Sequence, residues 1–578
     1  MKQIKQLVCT VLVVLMVFSG AAFAENTYTA GTYTASANGN NGPVTVEVVF
    51  SANAIERVNV TEHSETAGIC DVAIERIPQS IVDGQTLAVD VVSGATNSSK
   101  AILAAVESCV LQAGGDVEML KQKKTEAKTS TAETVIVNTD VLAVGGGGAG
   151  LTVAVRAGQL GVKCVVIEKL AQLGGATAAS QGNYAAVDPE KQVPQGIEDS
   201  IMLQIQQTYQ GGDCKAKLEL VETMAYHALD GVHWLENLGV EFNEQMTTVV
   251  GAIWPRTHGA VGKGTAIVEK LKAAAESYNT DIYMETTATE LIVENGRVTG
   301  CKAIGADGTN YEFRASLGVV MCTGGFGKNN EMLKKYNPNI PDGVISMAHA
   351  GATGDGILMG EAVGARLCGM EYIQMLTTSG AVLTGASIED VIYINAEGSR
   401  FIAEDSRRDV LCNAAFNQTG SAYYVLSDQS LVDRQGNQEA VDAAVAEGKV
   451  FKADTLEELA DIMGMKAENL TAAVADYNAS VETGATDTFG RYTFNHTLDS
   501  APYYCSAALR PMILYTCGGL EINAAAQVLN EQGNPIPSLY AAGEVAGGLH
   551  GSNRIAGNGI SEPIIFGQIA VESMMADQ

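Results

Sequence analysis

The 578-residue sequence predicts an α/β fold: a doubly wound domain that carries an inserted α+β capping domain and follows a small α+β domain. Three observations lead to this prediction. Residues 139–168 read as a short apolar strand, a glycine turn, a helix and a second strand. Residues 25–115 contain strands of alternating apolar residues. Between residues 371 and 502 the glycine-rich pattern is lost, and it returns near the C-terminus.

The first 24 residues have the pattern of an export signal. They begin with "MKQIKQ", continue with the apolar run "LVCTVLVVLMVF" and end with "SGAAFA" before Glu25, an A-x-A cleavage pattern. A permanent membrane helix is the alternative, although the run is shorter than the ~20 residues that a bilayer span needs. We expect cleavage after Ala24 and an exported mature protein, periplasmic or extracellular, without an integral membrane segment.

Charge and cysteine content exclude several classes of protein. The chain has 66 acidic and 36 basic side chains and a net charge of -30, which repels nucleic acid and anionic lipid surfaces. The 11 cysteines include no CxxC or CxxCH pattern, so zinc, iron–sulfur and c-type haem sites are excluded and no metal is expected. The sequence does not decide whether disulfides form, because spacing alone does not identify the cysteine pairs.

Residues 25–115 are expected to form a domain of their own. The segments "VTVEVVF" and "IERVNVTEH" read as strands, and two helical patterns follow. Residues 116–137, rich in Lys, Thr and Glu, have the composition of a linker. Within the domain, "DVVSGATNSSK" places Thr96 just before an apolar helical run. On local sequence alone, Thr96 therefore reads as a helix N-cap.

A dinucleotide-binding motif opens the domain that starts at residue 138. In "TDVLAVGGGGAG", Gly145, Gly147 and Gly150 satisfy GxGxxG. Glu168 ends the next strand, where it can bind a ribose hydroxyl. Glycine is required because the backbone turns tightly, approaches a pyrophosphate and packs a helix on a strand. The helix N-terminus presents its positive end to the phosphates. The sequence thus contains a strand, a glycine turn, a helix, a second strand and a terminal acid in the expected order. This order predicts a Rossmann-like domain.

Later glycine-rich segments favour FAD over NAD. They are "GGATAASQGNYAA" from Gly174, "VVMCTGGFGKNN" from Val319 and "SLYAAGEVAGGLHGSNRIAGNGISEP" from Ser538. The last two resemble the returning strands of flavoproteins in which a late Gly-Glu turn contacts the ribityl chain, and Glu544 is that residue here. The other residues expected to bind FAD are Gly174, Gly175, Thr177, Gly182, Gly324, Asn558 and Ile560.

The FAD-binding domain is expected in two parts, residues 138–370 and 503–578. Residues 371–502 depart from the glycine-rich pattern and are predicted to form the capping domain. An active site between two such domains is one from which water can be excluded.

These stretches together resemble the soluble fumarate reductase and urocanate reductase family, the flavocytochrome c group. "AHAGATGDGILMGEAVGA", "EYIQ", "NAEGSRF", "RRD" and "LYAAGEVAGGLHGSNRIAGN" follow that family's pattern over residues 139–576. The resemblance implies that Arg408 protonates the substrate, with Glu404 and Asp409 as a proton relay. It also implies that Arg554 grips a substrate carboxylate, for which its planar fork is suited. Without the resemblance, Arg408 reads as part of a surface salt-bridge cluster and Arg554 as a contact to the flavin segment.

The N-terminal domain resembles the domain that carries FMN esterified through its phosphate to a threonine, attached by a flavin transferase after export. The transferase pattern Asp-x-x-Ser/Thr-Gly-Ala-Thr fits Asp90, Ser93, Gly94, Ala95 and Thr96. The resemblance makes Thr96 the covalent FMN anchor, while FAD is bound non-covalently. It implies that a membrane or cell-surface donor reduces FMN, that electrons pass to FAD, and that an α,β-unsaturated carboxylate is the terminal acceptor.

The chain departs from the family in the substrate pocket. Fumarate reductases place a His after the "EYIQ" segment, a Thr-Glu pair further on and a second His before the late glycines. Here these places read Leu376, "TSGAVLTGAS" and Tyr515. Urocanate reductases also match imperfectly, since no acid stands where an imidazole partner is expected. Met375, Leu376, Tyr515 and His550 are expected to line a more apolar pocket, although Met375 and Leu376 also read as core.

The main interpretation is an exported FMN/FAD reductase of a monocarboxylate enoate, acrylate- or cinnamate-like, in preference to fumarate or urocanate. A dehydrogenase or reductase of enones, steroids included, is an alternative that does not need Arg554 to hold a carboxylate. A non-catalytic flavin electron carrier is another, although it requires neither a capping domain nor Arg408. A shift of a few residues in the alignment would bring Thr377, Thr378 or His258 to a second substrate carboxylate.

Overall fold

The computed structural model describes residues 27–65, 70–89, 91–92, 95–122, 133–249, 251–377, 381–384, 391–491, 493–494 and 496–577. The chain divides into two compact units between residues 129 and 130, inside the segment predicted as a linker. Within the described ranges no helix is both long and apolar enough to cross a membrane. The predicted export signal lies outside them.

The first unit is an antiparallel sheet covered by helices. Its elements are β1 (Gly31–Asn38), β2 (Pro43–Phe50), β3 (Ile55–Glu62), α1 (Asp71–Gly84), α2 (Thr96–Gln112) and α3 (Val117–Gln122). The sheet order is β1-β2-β3. Alternate residues of β2, among them Val44, Val46 and Val48, are buried, and α2 packs against β1 and β2. This period of two is what a half-buried strand requires, and it is the alternation seen in the sequence.

The second unit contains the remaining elements. Its strands are β4 (Val135–Val144), β5 (Cys164–Ile167), β6 (Asn183–Ala185), β7 (Thr257–Gly259), β8 (Asp281–Tyr283), β9 (Thr286–Glu294), β10 (Arg297–Gly305), β11 (Asn310–Met321), β12 (Leu367–Cys368), β13 (Ile373–Leu376), β14 (Ile392–Ile394), β15 (Tyr424–Asp428), β16 (Val450–Ala453), β17 (Tyr503–Ser506), β18 (Met512–Thr516), β19 (Gly519–Glu521), β20 (Gln527–Leu529), β21 (Pro535–Ala541) and β22 (Ala546–Gly547). Its α-helices are α4 (Gly148–Gln159), α5 (Gly175–Ala178), α6 (Pro189–Gln192), α7 (Ile201–Gly211), α8 (Leu218–Asn237), α9 (Lys263–Ser277), α10 (Asn330–Tyr336), α11 (Asp355–Ala362), α12 (Ala381–Thr384), α13 (Arg408–Phe416), α14 (Gln429–Gln435), α15 (Gln438–Ala446), α16 (Leu456–Met463), α17 (Ala467–Thr483) and α18 (Asn558–Ala576). Short 3-10 turns span Val193–Gln195 and Thr419–Ser421.

A mainly parallel sheet forms the centre of the second unit. Its order is β20-β21-β11-β4-β5-β8, with β10 pairing β11 and β9 pairing β10. The strands from β21 to β8 run parallel. The chain passes from β4 through α4 to β5 on one side and reaches β11 on the other, so the strand order reverses at β4. Ligands of doubly wound sheets bind at the carboxyl ends of the strands beside such a reversal. The predicted α/β fold class is confirmed.

Residues 391–506 form a separate part of the second unit. Their antiparallel sheet, β14-β15-β17-β16, has hydrophobic clusters of its own, one around Tyr393 and Tyr423 and another around Leu459 and Tyr477. These clusters are distinct from the main core under the parallel sheet. The part lies within the predicted insert of residues 371–502, apart from β17, which begins at Tyr503.

Regular structure enters both ends of the predicted linker. The helix α3 occupies Val117–Gln122 and buries Leu120, and β4 begins at Val135. The first residues of β4 are mostly exposed and are held by parallel pairing with β11. Composition marked these residues as linker because a single buried Leu and an exposed strand end leave little apolar signal.

Candidate active site

The glycine turn after β4 is packed on one side and open on the other. Gly145 has a φ of 110°, and a Cβ there would overlap the carbonyl oxygen of Cys322. A Cβ at Gly150 would overlap the carbonyl oxygen of Gly145. At Gly147, just before α4, the nearest atom to such a Cβ is the Gly174 carbonyl oxygen at 4.0 Å. A tight turn that opens at a helix N-terminus fits a pyrophosphate.

Glu168 lies beside this turn at the end of β5. Its carboxylate accepts the N–H of Gly146 at 2.7 Å and the N–H of Leu170 at 2.8 Å. Burial raises the pKa of the Glu168 carboxyl, and the two backbone donors oppose that rise. Gly174 donates its N–H to the Gly146 carbonyl at 2.8 Å. The structure therefore brings Glu168 and Gly174 to the GxGxxG turn.

The other residues predicted to bind FAD fall into two groups. Gly175 lies against Gly147, and Thr177 lies against Gly148, so both stand beside the glycine turn. Gly182 precedes β6 and packs on the backbone of Lys263. The second group stands at the ends of β11 and β21 and in the first turn of α18; its members are Gly324, Glu544, Asn558 and Ile560.

Glu544 is held in the turn after β21. Its Oε1 accepts the N–H of Thr516 at 2.9 Å and the Thr516 hydroxyl at 3.0 Å. Burial raises the pKa of its carboxyl. A Cβ at Gly325 would overlap both Thr516 and Glu544, so the turn after β11 touches the turn after β21, while Gly324 faces open space. A carboxylate at Glu168 beside the glycine turn and another at Glu544 after β21 are the groups that would bind the ribose and the ribityl chain of FAD.

Arg408 is the first residue of α13, and its guanidinium points at the segment that carries Arg554. Its Nη2 donates to the Arg554 carbonyl at 3.2 Å. Gly251 lies against the guanidinium so closely that a Cβ there would overlap it. Burial, and then the positive charge of Arg554, lower the pKa of Arg408 to about 10. A guanidinium with a lowered pKa gives up a proton more readily than an ordinary arginine does.

Arg554 stacks on an aromatic ring in the same place. Its guanidinium carbon lies 4.5 Å from the centroid of the Tyr515 ring, a cation–π contact. The Tyr515 hydroxyl is 3.3 Å from Nε2 of His550. The buried Nε of Arg554 and Nδ1 of His550 have no hydrogen-bond partner among the described residues. Burial and the Arg554 charge hold the pKa of His550 well below its usual range, so His550 is neutral.

Strand β13 supplies the neighbouring wall. It pairs with β18, with Gln374 opposite Tyr515 and Leu376 opposite Met512. Gln374 donates to the Arg554 carbonyl at 3.1 Å. Met375 is buried and belongs to the main hydrophobic core, whereas Leu376 is partly exposed. Met375 therefore packs in the core, which was one of the two possibilities that the sequence left open.

The two carboxylates predicted as a proton relay have different surroundings. Glu404 is fully buried and accepts hydrogen bonds from Arg400 at 2.7 and 3.1 Å and from Arg491 at 2.9 Å. Asp409 lies on α13 next to Arg408, but its oxygens accept from Arg407 at 3.0 and 2.6 Å. The structure thus brings Asp409 to the site and ties Glu404 into a separate ion cluster.

Sequence reasoning missed two residues that contact the arginines of the site. Gln374 and Gly251 contact Arg554 and Arg408; the motif "EYIQ" contains Gln374, whereas nothing in the sequence marked Gly251. His258 lies in β7 opposite Tyr184 and packs edge-on against Phe242. Thr377 is described directly after β13, and Thr378 lies outside the described residues.

In the first unit, Thr96 is the first residue of α2. The N-cap residue is Ala95, and no side chain makes a capping hydrogen bond there. The following turn is fixed by Ser98, which donates to buried Glu65, and by Ser99, which donates to the Ala95 carbonyl at 2.8 Å. Asp90, Ser93 and Gly94 of the predicted transferase pattern lie outside the described residues. Thr96 is therefore not the N-cap residue that its local sequence suggested, because the N-cap position is occupied by Ala95.

Comparisons with known proteins match both units. Residues 140–560 match the model of the FAD binding domain, and residues 39–111 match the model of the FMN-binding domain. NADH:acrylate oxidoreductase from Vibrio harveyi is 35% identical over 615 residues, which cover 94% of this chain and 61% of that protein. Urocanate reductase from Eggerthella lenta is 35% identical over 561 residues, 94% of this chain and 91% of that protein. The open form of a flavocytochrome c3 fumarate reductase superposes with a TM-score of 0.65 at 31% identity, covering 80% of this chain and 81% of that one.

Proposed function

Because the chain belongs to the flavoproteins of the fumarate and urocanate reductase family, with an FAD-binding and an FMN-binding domain, we propose that it reduces one particular class of unsaturated acid. The proposed substrate is an α,β-unsaturated monocarboxylate of the acrylate or cinnamate kind, favoured over fumarate and urocanate. The chain spans 61% of the length of the acrylate oxidoreductase that it resembles, so the substrate is argued from this chain's own residues.

The observation that carries the proposal is a pair of neighbouring arginines, neither of which forms an ion pair with an acidic side chain of the described residues. The Arg408 guanidinium reaches the Arg554 carbonyl, and the Arg554 charge is one cause of the lowered pKa of Arg408. Among the described residues, no acidic side chain forms an ion pair with either guanidinium. Two enclosed positive charges that lack partners are costly. A substrate carboxylate would relieve this repulsion, so the site is suited to an organic anion.

The two arginines have different tasks in this proposal. Arg554, with a free Nε and a planar fork, binds the carboxylate and fixes the position of the double bond. Arg408 donates the proton to one alkene carbon, for which its lowered pKa is favourable. Glu168 and Glu544 would hold FAD, which in its reduced form, after receiving electrons through FMN, would supply the hydride for the other alkene carbon. The product is the saturated acid, and Arg408 is then reprotonated from solvent.

A preference for one carboxylate follows from the neutral wall of the site. His550 is uncharged, Tyr515 has a pKa well above its usual value because of burial, and Leu376 is apolar. A second carboxylate placed there would meet a hydroxyl and an alkyl chain instead of a cation. An unpaired buried charge costs several kcal/mol. Because ~1.4 kcal/mol corresponds to a tenfold change in kcat/KM, this cost outweighs a modest gain in binding.

Steady-state reduction of four acids tests the proposal directly. Purified protein loaded with both flavins is given one reduced viologen dye and acrylate, cinnamate, fumarate or urocanate in turn. We expect kcat/KM for acrylate or cinnamate to exceed the value for fumarate by at least tenfold. A higher kcat/KM for fumarate would contradict the proposed pocket, and oxidation of the dye by none of the acids would contradict the proposed reaction.

We also propose that FMN is attached covalently through its phosphate to Thr96. The position supports this, because Thr96 begins a 17-residue helix whose cap needs no side chain. The positive end of such a helix favours a phosphate. A flavin transferase would make the bond after export, and a membrane or cell-surface donor would pass electrons to FMN and then to FAD. Export itself rests on the signal-like residues 1–24.

A further inference from the structure

Arg407, the residue before Arg408, lies between two carboxylates from different parts of the second unit. Its Nε and Nη2 donate to Asp409 at 3.0 and 2.6 Å. Its Nη1 and Nη2 donate to Asp213 at 2.6 and 2.9 Å. Asp409 belongs to α13, whereas Asp213 lies in the turn after α7, 194 residues earlier in the chain. Each carboxylate thus receives two charged hydrogen bonds, the arrangement in which arginine binds most strongly.

The Asp213 side of this ion bridge is itself held in place. Asp213 has a φ of 56° and Cys214 a φ of 55°, a left-handed conformation that persists where surrounding contacts fix it. The Ser552 hydroxyl donates to Asp213, and the Ser552 N–H donates to the Gly212 carbonyl at 3.1 Å. Arg407 and Ser552 hold the pKa of Asp213 at about 2, so its carboxylate is charged. Asp213 therefore connects Arg407 to the segment that carries Arg554.

The ion bridge opposes a repulsion in the site. Arg408 and Arg554 repel each other, and the one side-chain hydrogen bond that Arg408 makes within the described residues goes to the Arg554 carbonyl. The first hydrogen bond inside α13 runs from the Leu411 N–H to the Arg407 carbonyl at 3.0 Å. An anchor at Arg407 therefore fixes both the start of this helix and the direction of the next side chain.

We propose that Arg407 is a positioning residue, which through Asp213 ties the first turn of α13 to the Arg554 segment and so holds Arg408 over the substrate. The inference rests on the proposed function for its effect on turnover. Its structural part, the fixing of α13, does not depend on any substrate.

The chain offers a closely matched control. Arg314 also lies between two carboxylates. Its Nη1 is 2.7 Å from Glu294 of β9, and its second partner is Glu312 of β11. The side chains of Arg314 and Arg407 are both 37% exposed, and Glu294 and Asp213 are 49% and 45% exposed. Exposed ion pairs contribute little to stability in general. An effect of the Asp213 change that exceeds the effect of the Glu294 change is therefore due to the position of Asp213 in the site.

The experiment compares Asp213→Asn with Glu294→Gln in the protein loaded with both flavins. Hydrogen exchange of the Leu411 and Cys412 amides is measured without substrate, and kcat and KM are measured with acrylate and the viologen dye. We expect Asp213→Asn to speed the exchange at least tenfold and to lower kcat at least fivefold, with KM changed less than twofold. Glu294→Gln is expected to change all three less than twofold.

A second variant guards against a folding failure. Arg407→Lys keeps the charge but reaches only one carboxylate well, so we expect faster exchange at Leu411, with FAD content unchanged. If both variants leave this exchange within twofold of the unmodified protein, the positioning role is wrong. If the exchange responds but no unsaturated acid is reduced by the unmodified protein, the ion bridge stands and the proposed function fails.

Discussion

Arg408 and Arg554 present two positive charges to one space, and several of the ionisable groups beside them are uncharged. Burial raises the pKa of the Cys412 and Cys517 thiols to about 12, so both are neutral beside the arginines. His550 is neutral as well. These three groups therefore add no negative charge that would compete with an incoming anion for the two guanidinium groups.

At this scale we predict that Arg408→Ala removes turnover and leaves FAD bound. Loss of a general acid costs about 10²- to 10⁴-fold in rate, and the predicted FAD contacts at Glu168 and Glu544 involve other elements. Viologen-linked turnover and released FAD are measured together, with Arg314→Ala as the control. More than a tenth of the normal rate in Arg408→Ala would contradict its role as the proton donor.

The pH dependence of the unmodified protein checks the same assignment. Arg408 donates only when protonated, and its pKa is lowered to about 10. We therefore expect kcat to be level below this pH and to fall as the pH rises through it. Because the pKa of His550 is well below its usual range, no change in rate near pH 6.5 is expected from that residue. A rate that rises through pH 10 would exclude Arg408 as the acid.

At the scale of elements, four buried charges hold the segment between β14 and α13. Arg400 bridges Glu404 and Asp487, and Arg491 donates to Glu404 at 2.9 Å. The Glu404 carboxylate also accepts the Tyr393 N–H of β14 at 2.8 Å. All four side chains are at most 1% exposed. This ion cluster fixes the chain four residues before Arg408, which supports a structural task for Glu404.

We predict that Glu404→Gln destabilises the fold and spares the chemistry of the molecules that remain folded. Removing one partner of a buried ion cluster costs about 3–5 kcal/mol, because Arg400 and Arg491 both lose the negative charge of Glu404. Thermal unfolding measures this loss. Glu447→Gln, which breaks an exposed pair with Lys449 in the same region, is expected to cost at most about 1 kcal/mol. If turnover per bound FAD instead falls a hundredfold while the stability is unchanged, Glu404 acts in the proton relay.

The elements that could be predicted from the sequence are those set by local patterns. Glycines at fixed offsets and an acid at the end of the next strand identified the FAD turn, because strand, turn and helix succeed one another within 30 residues or so. The Arg407–Asp213 contact joins residues 194 apart, and Gln374 reaches Arg554 across 180 residues. No periodicity encodes such contacts. The ion cluster of Glu404 could not be predicted for the same reason, since its partner Arg491 is 87 residues away.

At the scale of the whole molecule, the two units have separate cores. Val46, Val48 and Ile102 are buried in the first unit, whereas Val141 and Val319 belong to the core under the parallel sheet of the second. Each flavin is therefore held by a unit with its own hydrophobic core. Loss of one cofactor is not expected to unfold the unit that binds the other.

We predict that Thr96→Ala removes the covalent flavin and leaves about one FAD per chain. Thr96 is partly exposed at the start of α2, so the loss of its hydroxyl removes an attachment point without opening a cavity. The protein is produced together with a flavin transferase, and a denaturing gel is viewed under ultraviolet light while acid-released FAD is quantified. Ser108→Ala, on the exposed side of the same helix, is the control and is expected to keep the fluorescent band. A fluorescent band in Thr96→Ala would show that the flavin is attached elsewhere, and loss of FAD along with the band would show that the two units do not hold their cofactors independently.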